Sequence, residues 1–259
     1  MRAFVVDAFT DVPFHGNPAG VVLLDEPAAA DWMQAVAAEL KHSETAFALQ
    51  RPDGDHDLRW FTPAVEVDLC GHATLATTHT LARAGAGPSF VFHTRSGPLS
   101  AQVLDDGSIT MDFPAQPPHP VDEPAGLTEA LGAPARSVHG NGIDVLVELA
   151  DEPTVAGLAP DIAKLRRVDC RGVTVTAPAS GDGDFVSRFF APRVGVDEDP
   201  VTGSAHCMLA PFWAARLNRS AMMARQLSAR GGRLGVEVHG DRVMLRGRAV
   251  TVLDGSLTA

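Results

Sequence analysis

Two stretches of the sequence, "LRWFTPAVEVD" (residues 58–68) and "SRFFAPRVGVD" (residues 187–197), show how the chain is organised. They lie almost half the chain length apart, and six of their eleven positions are identical. Unrelated segments of this length share about one residue at average residue frequencies. Similarity of this extent indicates two copies of one large domain rather than an array of short repeats.

The similarity continues beyond the two stretches. After three additional residues in the second copy, "CGHA" (residues 70–73) falls beside "TGSA" (residues 202–205). Each of these motifs precedes the longest predicted helix of its half, residues 72–84 and 204–218. The second helix is apolar almost all round, which is typical of a helix buried inside its domain, and Pro211 is expected to kink it. Short β-branched runs elsewhere predict strands, so each half is a mixed α+β unit.

A proline-rich segment separates the two copies. "PAQPPHPVDEPAG" (residues 114–126) has five prolines in thirteen positions, a composition that favours extended, unpaired backbone. We therefore predict an N-terminal domain over residues 1–118 and a C-terminal domain over residues 119–259. The last strand of the second domain is a candidate for pairing with the sheet of the first domain.

Composition excludes several classes of function. The chain has 259 residues, of which 45% are hydrophobic, and a net charge of -11, which would repel a nucleic-acid backbone. Its three cysteines are widely spaced, which predicts neither a disulfide framework nor a structural zinc site. No secretory signal and no apolar stretch of about 18 residues is found, so a cytoplasmic protein without a membrane partner is expected.

Two glycines mark the predicted helix starts. The first turn of a helix has unpaired N–H groups and a partial positive charge, and glycine lets a ligand approach the backbone closely. Gly71 and Gly203 occupy matching positions in the two copies. If the copies are related by a pseudo-twofold axis, both helix starts converge on one cleft that can bind a carboxylate substrate.

The differences between the copies indicate where a single chemistry would arise. His72 stands opposite Ser204, and Cys70 stands opposite Thr202. Asp199 falls among the three additional residues of the second copy and has no partner in this alignment. Glu44 is aligned with Gly172, so each half contributes one carboxylate.

Four motifs in this order resemble the PhzF family of phenazine-biosynthesis-like isomerases, which have the diaminopimelate-epimerase fold. They are "GNPAGVV" (16–22), "SETAF" (43–47), "FTPAVEVDLCGHATLA" (61–76) and "DEDPVTGSAH" (197–206), and the resemblance covers nearly the whole chain. It implies two similar domains, each with a β-sheet wrapped around a central helix and with the active site between them. It also implies a homodimer and a cofactor-independent isomerase acting on a small carboxylate-bearing substrate.

The resemblance assigns roles to particular residues. Glu44 becomes the acid/base that moves a proton, and a carboxyl group in an apolar strand can have the raised pKa that this role requires. Three polar residues orient the substrate and assist the transfer: His72, Asp199 and Ser204. Four residues at the glycine turns are predicted to contact the substrate: Gly71, Gly203, Cys70 and Thr202. Neither a cofactor nor a metal ion is implied.

Two alternatives remain open from the sequence. Racemases and epimerases of the same fold use two thiols, and here Cys70 keeps the first position while Thr202 replaces the second. An epimerase that depends on Cys70 is therefore one alternative. A binding protein that keeps the cleft without the chemistry is the other.

Overall fold

The computed structural model describes residues 1–258, which form short strands and six α-helices. The strands are β1 (Arg2–Ala8), β2 (Asn17–Leu24), β3 (Thr45–Gln50), β4 (His56–Phe61), β5 (Glu66–Val67), β6 (Ser89–Thr94), β7 (Gly97–Val103), β8 (Ile109–Pro114), β9 (His119–Pro120), β10 (Ser137–Gly140), β11 (Val145–Glu148), β12 (Val173–Pro178), β13 (Phe185–Ala191), β14 (Val196–Asp199), β15 (Ala221–Gln226), β16 (Gly232–His239), β17 (Arg242–Gly247) and β18 (Ala249–Ser256).

The helices differ greatly in length. They are α1 (Ala30–Leu40), α2 (Gly71–Arg83), α3 (Leu127–Leu131), α4 (Glu152–Ala156), α5 (Ile162–Leu165) and α6 (Gly203–Leu217), and Pro192–Val194 forms a 3₁₀ turn. The two long helices predicted after the glycine motifs are present as α2 and α6, each beginning one residue earlier than predicted. Helix α6 continues through Pro211 to Leu217. Within residues 1–258, no helix combines the length and the apolar character needed to cross a membrane.

The chain divides into two compact units. The first contains Met1–Phe113 together with the segment from Met244 onward, and the second contains Pro114–Val243. Strand β18 pairs antiparallel with β1, so the end of the chain completes the sheet of the first unit. The division falls at the start of the proline-rich segment rather than at residue 118. That segment is not unpaired as predicted, because its strand β9 pairs with β10 in the second unit.

Both units are built with the same order of strand pairs. In the first unit, β1–β2 is antiparallel, β2–β3 parallel, β3–β4 antiparallel, β4–β6 parallel and β6–β7 antiparallel. In the second unit, β10–β11, β11–β12, β12–β13, β13–β15 and β15–β16 repeat these five directions in the same order. The outer partners also match, since β18 lies beside β1 and β9 lies beside β10. The duplication seen in the sequence is therefore a duplication of the whole sheet.

Each sheet packs against its own long helix. Helix α2 contacts β1, β2, β3, β7 and β18, and nine of its residues are buried. Its buried threonines satisfy their hydroxyls on the carbonyls four residues earlier, for example Thr77 Oγ1 on Ala73 at 2.8 Å. Helix α6 also has nine buried residues, and Trp213 Nε1 donates to Thr176 Oγ1 on β12 at 2.9 Å. Burial of both helices explains why α6 has almost no polar face.

One ion pair occurs at matching places in the two units. Arg59 donates two hydrogen bonds to Glu66, at 2.7 and 2.8 Å, and its guanidinium lies 5.2 Å from the ring centre of Phe61. Arg188 makes the same two bonds to Glu198, at 2.7 and 2.9 Å, and its guanidinium lies 4.9 Å from the ring centre of Phe190. Glu198 is thus the counterpart of Glu66, although the sequence alignment had placed Gly195 there.

This pairing corrects the position of the insertion. Asp199 lies opposite Phe189 in the β13–β14 ladder, just as Val67 lies opposite Trp60 in the β4–β5 ladder. The three additional residues therefore lie earlier, in the segment that contains the 3₁₀ turn Pro192–Val194. The prediction that Asp199 has no counterpart was wrong, because its structural counterpart is Val67.

Candidate functional site

In the first unit, two segments bring the predicted residues to the start of helix α2. Glu44 was predicted to lie within a strand, but it directly precedes β3, and its carbonyl accepts a hydrogen bond from the N–H of Gly20 on β2 at 3.2 Å. Cys70 precedes the helix in an extended conformation, and Gly71 is the first helical residue. The carbonyl of Cys70 accepts hydrogen bonds from Thr74, so the first turn of α2 is well formed.

Glu44, Cys70 and His72 form a compact cluster, which we call the Glu44–Cys70–His72 cluster. The Nε2 atom of His72 lies 3.3 Å from Oε2 of Glu44, and its Nδ1 atom lies 3.5 Å from Sγ of Cys70. The Nε2···Oε2 pair is close enough for an ion pair, but it does not form a hydrogen bond. Within residues 1–258, Nε2 of His72 has no hydrogen-bond partner.

Burial keeps His72 neutral. The residue is 4% exposed, and desolvation, assisted by the neighbouring His42, lowers the pKa of its imidazole to about 3. The imidazole is therefore uncharged at neutral pH, and its contact with Glu44 is not a pair of opposite charges. A neutral ring carries one N–H donor and one acceptor nitrogen, so it can hydrogen-bond to a neighbouring acid/base group in either protonation state of that group.

In the second unit, the matching helix start is held by a buried glutamine. The hydroxyl of Thr202 donates to Oδ2 of Asp199 at 2.5 Å. Oε1 of Gln226 accepts from the backbone N–H of Thr202 at 2.9 Å, and its Nε2 donates to the carbonyl of Asp199 at 2.7 Å. Gln226 is 1% exposed and lies on β15. It therefore ties Asp199 to the first turn of α6.

The remaining predicted residues of the second unit lie on α6 itself. Gly203 is its first residue and Ser204 its second, and Ser204 is half-buried. Nδ1 of His206 contacts the carbonyl of Thr202 at 2.7 Å, and burial lowers the pKa of His206 to about 4. His206 is therefore a neutral packing residue at neutral pH rather than a group presented to solvent.

Sequence reasoning missed two residues of this region besides Gln226. Asp144 is 2% exposed and forms a bidentate ion pair with Arg171, which directly precedes Gly172. Asp144 is the main cause of the raised pKa of Arg171, and the charge of Asp199 contributes to it as well. A buried aspartate at the end of a loop and an arginine 27 residues later give no local pattern that would have revealed this pair.

The structure brings the predicted residues together in two groups. Glu44, Cys70, Gly71 and His72 surround the start of α2 in the first unit, and the other four, namely Asp199, Thr202, Gly203 and Ser204, surround the start of α6 in the second unit. A joint cleft that both groups line remains a prediction.

Two groups of side chains have the composition of a metal site. In the Glu44–Cys70–His72 cluster, one ligand atom from each residue lies within 4.8 Å of the others. The same is true of Asp53, Asp55 and His93, which are more exposed. None of the three cysteines forms a disulfide within residues 1–258, so the thiol of Cys70 is available as a ligand.

Comparison with known proteins gives a consistent result. Residues 6–255 match the PhzC-PhzF family, described as phenazine biosynthesis-like protein. An uncharacterized isomerase of Pseudomonas aeruginosa is 53% identical over 259 residues, which is 99% of this chain and 98% of that protein. The crystal structure of a PhzF-family phenazine biosynthesis protein from Enterococcus faecalis superposes with a TM-score of 0.94 at 39% identity, covering 100% of this chain and 99% of that one.

A more distant structure supports the fold alone. A probable proline racemase from Agrobacterium radiobacter has a TM-score of 0.64 at 14% identity, covering 99% of this chain and 92% of that one. Together, these comparisons confirm the predicted fold, in which two similar domains each wrap a sheet around a helix.

Proposed function

Because the chain belongs to the PhzC-PhzF family of phenazine biosynthesis-like proteins, we propose that it is an isomerase that moves a proton on a small carboxylate-bearing substrate without a cofactor. Glu44 removes the proton from one carbon and returns it to another. The observation that carries this proposal is the 3.3 Å contact between the carboxyl group of Glu44 and the neutral imidazole of His72.

His72 assists Glu44 in this reaction. A neutral imidazole beside the carboxyl group can stabilise its protonated form by a hydrogen bond once the substrate has lost its proton. General acid/base catalysis of this kind contributes about 10²–10⁴-fold to a rate. Cys70 lies on the other nitrogen of the ring, so it influences which nitrogen of His72 carries the proton.

The two helix starts bind the carboxylate of the substrate. The N–H groups at Gly71 and Gly203 lie in the first turns of α2 and α6, where the helix macrodipole favours an anion. Ser204 and Asp199 orient the substrate from the second unit. Gln226 supports this role through its hydrogen bonds to Asp199 and Thr202. These bonds fix the backbone that carries the side chains of Asp199 and Ser204.

Isotope exchange tests the proposal. Candidate carboxylates are incubated with the protein in deuterated water, and incorporation of deuterium at one carbon is followed by NMR. Glu44→Gln should abolish incorporation, because an amide cannot take up the proton. Glu39→Gln is the matched control, since Glu39 is an exposed residue of α1. Full exchange by Glu44→Gln would refute the assignment of the base.

The thiol–imidazole contact supports a second candidate, an epimerase in which Cys70 is the base. A two-thiol mechanism is disfavoured, because position 202 is a threonine whose hydroxyl already donates to Asp199. The epimerase predicts that a thiol-alkylating reagent and Cys70→Ser both abolish exchange, with product of inverted configuration. The isomerase predicts that Glu44→Gln is the more damaging variant.

A further inference from the structure

We propose that the Glu44–Cys70–His72 cluster binds a divalent transition-metal ion such as Zn²⁺, and that the bound ion inhibits the protein. The binding itself is independent of the reaction. The inhibition rests on the proposed function, since it requires Glu44 to be the acid/base.

The cluster has the ligand types and spacing that Zn²⁺ uses. Thiolate, imidazole and carboxylate are its three protein ligand types, and three protein ligands with one open position are the usual set of an accessible zinc site. Bond lengths of about 2.0–2.3 Å place tetrahedral ligands roughly 3.3–3.8 Å apart. One ligand atom from each residue lies within 4.8 Å of the others, but the thiol and the carboxyl group lie nearest to different nitrogens of the ring. Closing the site therefore requires a rotation of the imidazole together with a contraction of about 1 Å.

A buried nitrogen within the cluster points to a ligand. His72 is 4% exposed, and its Nε2 has no hydrogen-bond partner among residues 1–258. A buried polar atom without a partner is costly, and coordination to a metal ion removes this cost. Glu44 is more open than the other two, with 19% of its side chain exposed, which provides a path for the ion.

The ligand set also determines which ions bind. Sulfur and nitrogen ligands favour Zn²⁺ and similar transition metals, whereas Mg²⁺ and Ca²⁺ require oxygen ligands. The second group, Asp53, Asp55 and His93, is a poorer site. His93 Nε2 already contacts Asp55 Oδ2 at 2.8 Å, and the guanidinium of Arg51 lies 3.5 Å from Asp53, where it repels a cation.

Coordination would remove the base that the proposed reaction needs. The thiol of Cys70 binds as a thiolate and releases one proton to solvent, while a carboxylate oxygen of Glu44 donates an electron pair to the ion. That electron pair is then unavailable to accept a proton from the substrate. The expected result is reversible inhibition, relieved when a chelator removes the ion.

Cobalt titration tests the site without reference to activity. Co²⁺ is added to the full-length protein, and thiolate-to-cobalt charge-transfer absorption is recorded, followed by displacement with Zn²⁺. We expect one equivalent to bind, and Cys70→Ser and His72→Asn to weaken binding roughly tenfold or more. Cys170→Ser and His93→Asn are the matched controls and should bind as the wild type does. Absence of a charge-transfer band, or its loss in Cys170→Ser, would overturn the site.

The inhibition is measured in a separate arm. Deuterium exchange is followed with Zn²⁺ and then with excess chelator. Loss and recovery of exchange, at the Zn²⁺ concentration that displaces Co²⁺, supports the proposal. Binding without inhibition would overturn only the inhibitory role. A protein that binds Co²⁺ but shows no exchange with any substrate counts against the proposed function and leaves the metal site standing.

Discussion

Replacing Gln226 by methionine tests whether this residue holds the start of α6. Methionine has a similar shape but cannot replace the three hydrogen bonds that Gln226 makes to Thr202 and Asp199. The Thr202 N–H would remain buried without a partner, which costs about 1–3 kcal/mol, and each other lost bond costs about 0.5–1.5 kcal/mol. We therefore expect Gln226→Met to lower the free energy of unfolding by about 2–6 kcal/mol.

Two measurements check this expectation. Urea unfolding should show the midpoint lowered by about 1–3 M, for a slope of about 2 kcal/mol/M. Hydrogen exchange at the Thr202 amide should accelerate more than exchange in the middle of α6. Gln34→Met is the matched control, because Gln34 donates a single hydrogen bond, to the carbonyl of Thr62 at 2.8 Å, from a half-buried site. If Gln226→Met costs no more than Gln34→Met, the positioning role of Gln226 is wrong.

Three further predictions concern stability. Arg188→Met should cost about 3 kcal/mol in chemical unfolding and Arg59→Met only about 1, because their side chains are 11% and 35% exposed. Gly172→Ala should lower stability by about 1–3 kcal/mol in thermal unfolding, since an added Cβ would lie 2.4 Å from the ring of Phe189. The pKa of His206 is about 4 in the folded protein and about 6.5 in the unfolded chain, so folding favours the neutral ring. The resulting contribution to the free energy of unfolding is fully present above pH 6.5 and falls by about 1.4 kcal/mol for each pH unit between about 6.5 and 4. His206→Gln should therefore make the stability depend less on pH.

The repeat in the sequence predicted the fold well, because strands and buried helices leave periodic apolar patterns that survive duplication. It predicted the insertion less well. Because Val67 and Val196 are identical, the sequence alignment placed the three additional residues after them, which is too late in the chain. The structure shows the correct correspondence, because Glu66 and Glu198 form equivalent ion pairs. A pairing between strands depends on distances that a linear comparison cannot show.

The candidate site was predicted in a similarly uneven way. Glu44, Cys70 and His72 were each identified, but their mutual contacts arise because helix α2 packs against β3, which the sequence does not specify. Gln226 was missed, because it lies 24 residues from Thr202 and a single buried glutamine on a strand has no motif. Local patterns thus indicated the candidate reactive residues, while the residues that hold them in place became visible only in the structure.

The division of the chain has a consequence for biosynthesis. The second unit is one uninterrupted segment, Pro114–Val243, whereas the sheet of the first unit lacks β18 until residues 249–256 have been made. Domains ordinarily fold in the order in which the ribosome releases them. Here the second unit can fold before the first unit is complete. Until β18 has been synthesised, strand β1, which contains Val5 and Val6, is an edge strand whose unpaired backbone groups can pair with another chain.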